Sequence, residues 1–315
     1  MQRSSVPSMS RIAGCLAGSA LGDAIGEIAF RVTQENSLRA YIEDADTLRY
    51  TDDTAMALGL AESIIACNGT VRAQHLGETF RKNYEQEPWR GYGPGPPSIF
   101  RTVKQSDTDY LSVAQNLYRG QGSMGNGAAM RIAPLGVFFA GSDDLPEMAS
   151  LSARVTHAHP LGQDGAVVLA SAISLATQSD RDDGFSTQQF VRALSESAST
   201  DEFRDALQRV QRLLQGGADR EQAAAELGTD VLIHRSVPYA IYCFLNNPHS
   251  FEAALLDAIL VPGDRDTIGA MTGGVAGAYL GQEAIPKGWL ERLENRSRVE
   301  ELASKLHEIR QQRET

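Results

Sequence analysis

A chain of 315 residues with 42% hydrophobic and 22% charged side chains can bury a sizeable core, as one large domain or two modest ones. Its 29 Lys and Arg against 40 Asp and Glu leave a net charge of −11, which argues against a nucleic-acid partner and against docking on an anionic membrane. Three sparse cysteines, Cys15, Cys67 and Cys243, each in an apolar stretch, make no disulfide framework and predict buried, reduced thiols in a cytoplasmic protein.

Apolar residues at three-and-four spacing recur along the chain, and strand-like alternation is scarce, so an all-α fold is expected. Residues 1–10 read as a polar tail and not a secretory signal, and 11–315 as a single domain. The first helix, 11–28, is apolar and rich in glycine; Asp23 and Glu27 argue for a buried helix over a membrane span. Helices follow at 51–67, 72–84, 108–117, 127–139, 144–156, 161–177 and 187–197. Further helices are expected at 202–214, 219–227, 237–246, 250–260, 266–280 and 297–312. Thr51 and Ser186 are the expected N-caps of two of them. The runs 91–97 and 180–184 read as loops, the polar stretch 178–230 as a peripheral helical layer, and the charged last 20 residues as a surface helix. No association helix is evident, so a monomer is expected.

Four places carry chemistry. Tyr50-Thr51-Asp52-Asp53-Thr54 puts two carboxylates at a helix start, and Gly263-Asp264-Arg265-Asp266-Thr267 repeats the arrangement far downstream. Each alone is explained by helix capping and the macrodipole. Together they offer oxygen ligands to a hard cation such as Mg²⁺, or to a pair of them. The helix after the second cluster is lined with Gly269, Ala270, Gly273, Gly274, Gly277 and Ala278, which implies a close-packing demand. Gly120-Gln121-Gly122-Ser123-Met124-Gly125-Asn126-Gly127 lacks the lysine of a Walker loop and the preceding strand of a dinucleotide fingerprint. It can still turn backbone N–H groups onto a phosphate. Thr156-His157-Ala158-His159 is a weak zinc candidate; a ligand contact or a hydrogen-bonded core role suits each histidine better.

In this order, with Gly14-Cys15-Leu16-Ala17-Gly18-Ser19-Ala20-Leu21-Gly22-Asp23 ahead of them, the motifs resemble the ADP-ribosylglycohydrolase family over about residues 11–292. The stretches 90–93, 125–131 and 236–245 are most similar to its ADP-ribosylserine hydrolase branch. The resemblance implies a compact multi-helix domain around a central metal site with two Mg²⁺ ions, Mn²⁺ being the alternative. It implies metal ligation by Thr51, Asp52, Asp53, Asp264, Asp266 and Thr267, the four aspartates being catalytic as well. It places the diphosphate on Gly122, Ser123, Met124, Gly125 and Asn126, adenine on Tyr118, a ligand contact at His157, and the distal ribose beside Gly91, Tyr92 and Gly93. The expected substrate is ADP-ribose on a protein side chain, with a serine linkage favoured. One departure stands out: the family's catalytic glutamate falls on Phe30, with Glu27 three residues earlier as the substitute carboxylate. Phe30 keeps two alternatives open, an arginine-directed hydrolase and a catalytically weak ADP-ribose-binding relative.

Overall fold

The computed structural model describes residues 6–106, 108–179 and 185–314; the loop expected at 180–184 lies outside them. Among the described residues there are seventeen α-helices and no strand. In chain order they are α1 Met9–Ala29, α2 Glu35–Asp44, α3 Asp52–Ala66, α4 Ala73–Gln86, α5 Gly95–Gln105 and α6 Tyr110–Gly120. Then come α7 Ala133–Phe138, α8 Leu145–Arg154, α9 Pro160–Gln178, α10 Thr187–Ser197, α11 Asp201–Gly216 and α12 Arg220–Leu227. The last five are α13 Ile233–Asn246, α14 Phe251–Ile259, α15 Arg265–Leu280, α16 Lys287–Arg292 and α17 Arg296–Glu314.

Three of these helices are absent from the sequence reading. α5 opens on Gly95-Pro96-Pro97, which reads as loop; the fixed φ of proline suits a first helical turn, where no N–H is needed. α2 lacks a side-chain cap and buries only Leu38 and Ile42, one turn apart on one face. α16 has six residues, too short for a periodic signal. Conversely, the single helix expected over 127–139 is broken into a 3-10 turn, Asn126–Ala128, and α7, because Pro134 has no N–H to continue a helix from the preceding turn and sits instead in the first turn of α7, where none is needed. The two expected caps are present. The Thr51 hydroxyl accepts from the Asp53 N–H at 3.4 Å, and Ser186 from the Gln189 N–H at 3.3 Å. All three cysteines are free and buried.

The core is organised on α1 and α15, which run antiparallel in contact; α3, α7, α9, α13, α14 and α17 pack around the pair. α1 is long and apolar enough to cross a membrane, but it is sheathed by these neighbours, and its most apolar window is 94% buried. The glycines of α15 find their partners in α1. Gly14 faces Gly277, Gly18 faces Gly273, Gly22 faces Gly269, and Gly26 lies on Arg265 and Asp266. A Cβ on Gly14 would stand 2.5 Å from the Gly277 carbonyl oxygen, and one on Gly26 would stand 2.6 Å from Asp266 Cα. Each glycine forgoes about 1 kcal/mol of helix propensity relative to alanine. The dispersion gained along two backbones in contact offsets that cost.

Overpacking this seam should cost more than helix propensity returns. Gly14→Ala is expected to destabilise the fold by about 1–3 kcal/mol in denaturant unfolding. Gly216→Ala, at the end of α11 with nothing within 4 Å of the new Cβ, should be neutral or stabilising.

Candidate active site

The α1–α15 seam delivers the two acidic clusters to one place. Asp23 follows Gly22 on α1 and is fully buried. Both its oxygens accept the Thr51 N–H at 3.0 Å, and Oδ2 also accepts the Thr54 N–H at 3.0 Å and the Thr54 hydroxyl at 2.6 Å. That carboxylate builds the turn that presents Asp52 and Asp53 at the start of α3. Across the seam, Arg265 donates to the carbonyl of Ala29, pinning the start of α15 to the end of α1. The Asp264 N–H is held by the Thr229 carbonyl at 2.7 Å, and its Oδ2 accepts from Asn126 Nδ2 at 2.6 Å, which ties the glycine loop to the acids.

A cleft of about 350 Å³ is lined by Asp52, Asp53, Asp264, Asp266 and Thr267 from the two clusters. Ser123, Gly125, Asn126, His157 and Tyr118 line it from the loop side, and Gly91 and Gly93 from the segment before α5. The remaining predicted residues lie beside it. Gly122 has φ +74° and backs onto Ala158 and His159, where a Cβ would be 2.5 Å from the His159 N, so glycine is required there. The Met124 carbonyl anchors the start of α13 through the Ile233 N–H at 3.2 Å. Tyr92 packs its ring edge-on against Tyr84, with centroids 5.0 Å apart. Tyr118, at φ +51°, stands 59% exposed on the rim. Thr51 and Glu27 line a second cleft, of about 490 Å³, that shares Asp52, Gly91 and Asp266 with the first. Glu27 is 3.6 Å from Arg31, whereas Phe30 caps the end of α1, lines neither cleft and is 45% exposed.

Burial pushes Asp23, Asp52, Asp53 and Asp266 toward the neutral form, and acidic neighbours add to the effect at the last three. Burial and then Asp23 raise Asp52 to about 7. Burial and then Asp264 raise Asp266 to about 8. Asp53 is raised by burial and by Asp23, Asp266, Asp52 and Asp264, and its Oδ2 is buried with no hydrogen-bond partner. Burial raises Asp23 to about 6 against the hydrogen bonds from Thr54 and Thr51. Among the described residues no three His, Cys, Asp or Glu side chains form a ready-made cage of metal-ligand spacing. The donor set nevertheless suits a hard cation. It is all oxygen, it is mutually repelling, and it includes an orphaned carboxylate oxygen that a cation would satisfy.

The two histidines part company. His159 caps α9, with its Nδ1 accepting from the Leu161 N–H at 3.1 Å. His157 is turned to the cleft by a chain that begins at Arg131, a fully buried guanidinium over the Phe80 ring. Arg131 donates to Thr156 Oγ1 at 2.8 Å, and Thr156 Oγ1 lies 2.8 Å from His157 Nδ1. Arginine can only donate, so it takes one lone pair of Thr156 Oγ1; the hydroxyl hydrogen is then free to go to Nδ1, the arrangement that leaves the imidazole proton on Nε2. Nε2 lies against Gly127 and Gly125, so its N–H faces the glycine loop. Burial and then the charge of Arg131 lower His157 to about 3, which keeps the ring neutral.

Neither Asp23 nor the Arg131–Thr156 relay was assigned a role from sequence. Asp23 carried a signal, a lone carboxylate in an apolar glycine-rich helix. Arg131 carried none, since its partners Ser152, in α8, and Thr156, just after it, lie 21 and 25 residues along the chain.

A helical domain with paired acids opposite a glycine loop supplies groups that hydrolysis can use, and comparison with known proteins gives the class. The ADP-ribosylglycohydrolase family model matches residues 4–315, so the chain belongs to that family. It is 32% identical to the bovine ADP-ribosylhydrolase ARH3 over 96% of this chain and 93% of that one. It is 32% identical to the mouse protein over 98% and 94%, respectively. An uncharacterised protein of Archaeoglobus fulgidus is 32% identical over 94% of this chain and 95% of its own length. A solved ADP-ribosylglycohydrolase-related protein complex superposes with a TM-score of 0.72 at 24% identity, covering 96% of this chain and 98% of that chain. The protein is thus a hydrolase of ADP-ribosyl bonds, and the binding-only alternative drawn from Phe30 gives way.

Two outcomes are expected. In the folded state the raised carboxyls hold protons that the unfolded chain, near its ordinary 3.8, releases. Without divalent cations, these groups therefore destabilise the fold increasingly as pH rises from about 4 to about 8. Asp52→Asn should flatten that slope and raise the melting temperature at pH 8, read by calorimetry in chelator. Nitrogen-15 NMR should find His157 neutral with the proton on Nε2 down to pH 5, and Arg131→Met should disturb that tautomer.

Proposed function

We propose that the protein is a Mg²⁺-dependent hydrolase that releases ADP-ribose from modified serine side chains. The convergence of Asp52, Asp53, Asp264, Asp266 and Thr267 on one cleft opposite the glycine loop carries this reading. The likeness of residues 90–93, 125–131 and 236–245 to the serine-directed branch supports the linkage.

Thr51, Asp52, Asp53, Asp264, Asp266 and Thr267 would hold the cations, whose chemistry when bound is to polarise the distal-ribose hydroxyls and the anomeric bond. The chain's own groups do the rest. Backbone N–H groups of the glycine loop and the Nε2–H of His157 bind the diphosphate as neutral donors, so no basic residue is needed. Tyr118 offers its exposed ring to the adenine. Asn126 spans loop and acids through Asp264, so a shift of the diphosphate is felt at the reacting end. Hydrolysis takes one proton from water and delivers one to the leaving oxygen. Glu27 serves that exchange on the acceptor side, where it lines the second cleft with Asp52 and Asp266. Phe30 cannot take that role, since it is apolar and outside both clefts.

The test is a hydrolysis panel over serine-, arginine- and O-acetyl-linked ADP-ribose, with and without Mg²⁺. Serine-linked release that requires Mg²⁺ is expected, with Asp266→Asn losing at least about 100-fold in kcat. Glu27→Gln should lower kcat by about 100-fold, and Phe30→Glu should leave it unchanged. Release from arginine alone would reassign the linkage, and activity in chelator would overturn the metal dependence.

A further inference from the structure

The second cleft holds an unusual aromatic. Trp89 is 64% exposed, although tryptophan is normally well buried. It is also held still from beneath. The Arg90 guanidinium stacks under the indole at 4.3 Å and on the Tyr50 ring at 4.2 Å. That guanidinium is 1% exposed, pairs with Glu294 at 2.6 Å and Glu87 at 3.0 Å, and donates to the Tyr50 carbonyl at 2.9 Å. The Arg90 carbonyl accepts the Asp52 N–H at 2.8 Å, so the same residue fixes the indole and one of the acids. An exposed indole clamped on a buried cation has little conformational entropy left to lose when something packs on it.

We propose that this cleft receives the polypeptide that carries the ADP-ribose, with a side chain flanking the modified residue packed on the exposed face of Trp89. The assignment rests on the hydrolase reading above. A ligand with its diphosphate on the glycine loop brings its anomeric bond to Asp52 and Asp266, the acids common to both clefts. Its leaving group then projects away from the loop, and the space on that side is the second cleft. A serine side chain alone would leave most of about 490 Å³ empty. Besides Arg90 and Tyr50, its lining includes the cations Arg31 and Arg49, the acid Glu27 and the aromatics Tyr41 and Trp89, a mixture suited to an extended main chain with its side chains. Trp89 is the anchor because tryptophan in a preformed surface carries an outsized share of binding energy.

The experiment compares one bond in two contexts, a serine-ADP-ribosylated peptide and ADP-ribosylated N-acetylserine amide, with Mg²⁺ present. The unaltered protein should favour the peptide. Trp89→Ala should lower the ratio of kcat/KM, peptide over amide, about tenfold through the KM of the peptide, and Trp89→Phe should recover most of it. Thermal unfolding of both variants checks that the fold persists. A ratio that stays put, or two substrates that fall together, overturns the polypeptide cleft and leaves the hydrolase reading standing. An unaltered protein that cleaves neither substrate overturns the hydrolase reading, and the cleft with it.

Discussion

The site depends on two helix backbones in direct contact. Along the α1–α15 seam the absence of Cβ atoms on Gly14, Gly18, Gly22 and Gly26, and on their partners Gly277, Gly273 and Gly269, lets the helices approach closely. Asp23 sits one residue past such a glycine, and Gly26 rests on Asp266 itself. A bulkier seam would part the turn that Asp23 organises from the start of α15. Five aspartates would then lose the arrangement that lets them act together.

Bringing those acids together is unfavourable until something positive joins them. Asp52 and Asp53 are buried and Asp266 is half-buried; burial first, and then Asp23 and Asp264, raise all three in pKa, and the buried cation that bears on Asp52 is Arg131. Arg131 does not pair with a carboxylate; it spends its hydrogen bonds on Ser152 and Thr156. Burial and then its charge keep His157 neutral, and its hydrogen bond fixes the Thr156 hydroxyl beside His157 Nδ1. The two halves of the cleft are therefore tuned in opposite senses, proton-hungry acids on one side and uncharged donors on the other. On the proposed function, that division would let a protein of net charge −11 take a diphosphate on a glycine loop, 120–127, that contains no lysine or arginine.

Much of this was legible in the sequence because it is local. Thr51-Asp52-Asp53 and Asp264-Arg265-Asp266-Thr267 announce themselves within five residues, and so does the glycine loop. The small-residue face of α15 was readable as a demand for close packing. Its partner was not, since nothing local pairs Gly273 with Gly18. The Arg131 relay and the Arg90 clamp escaped for the same reason, their partners being brought together only by the fold. Glycine and proline misled at α5, where Pro96 and Pro97 start a helix that their composition disguises as loop.

Phe30 shows how a motif count can mislead about a site. Read by position, it replaces a catalytic carboxylate and suggests a disabled enzyme. In the fold α1 ends there, and the side chain is part of the surface, away from the acids. Glu27, one turn earlier on the same helix, is the carboxylate that lines a cleft with Asp52 and Asp266. A helix rotates about 100° per residue, so Glu27 stands about 60° round the helix from Phe30, which caps its end. That offset lets Glu27 line a cleft that Phe30 does not reach. What matters to the chemistry is which cleft wall a side chain reaches, and α1 reaches that wall at Glu27.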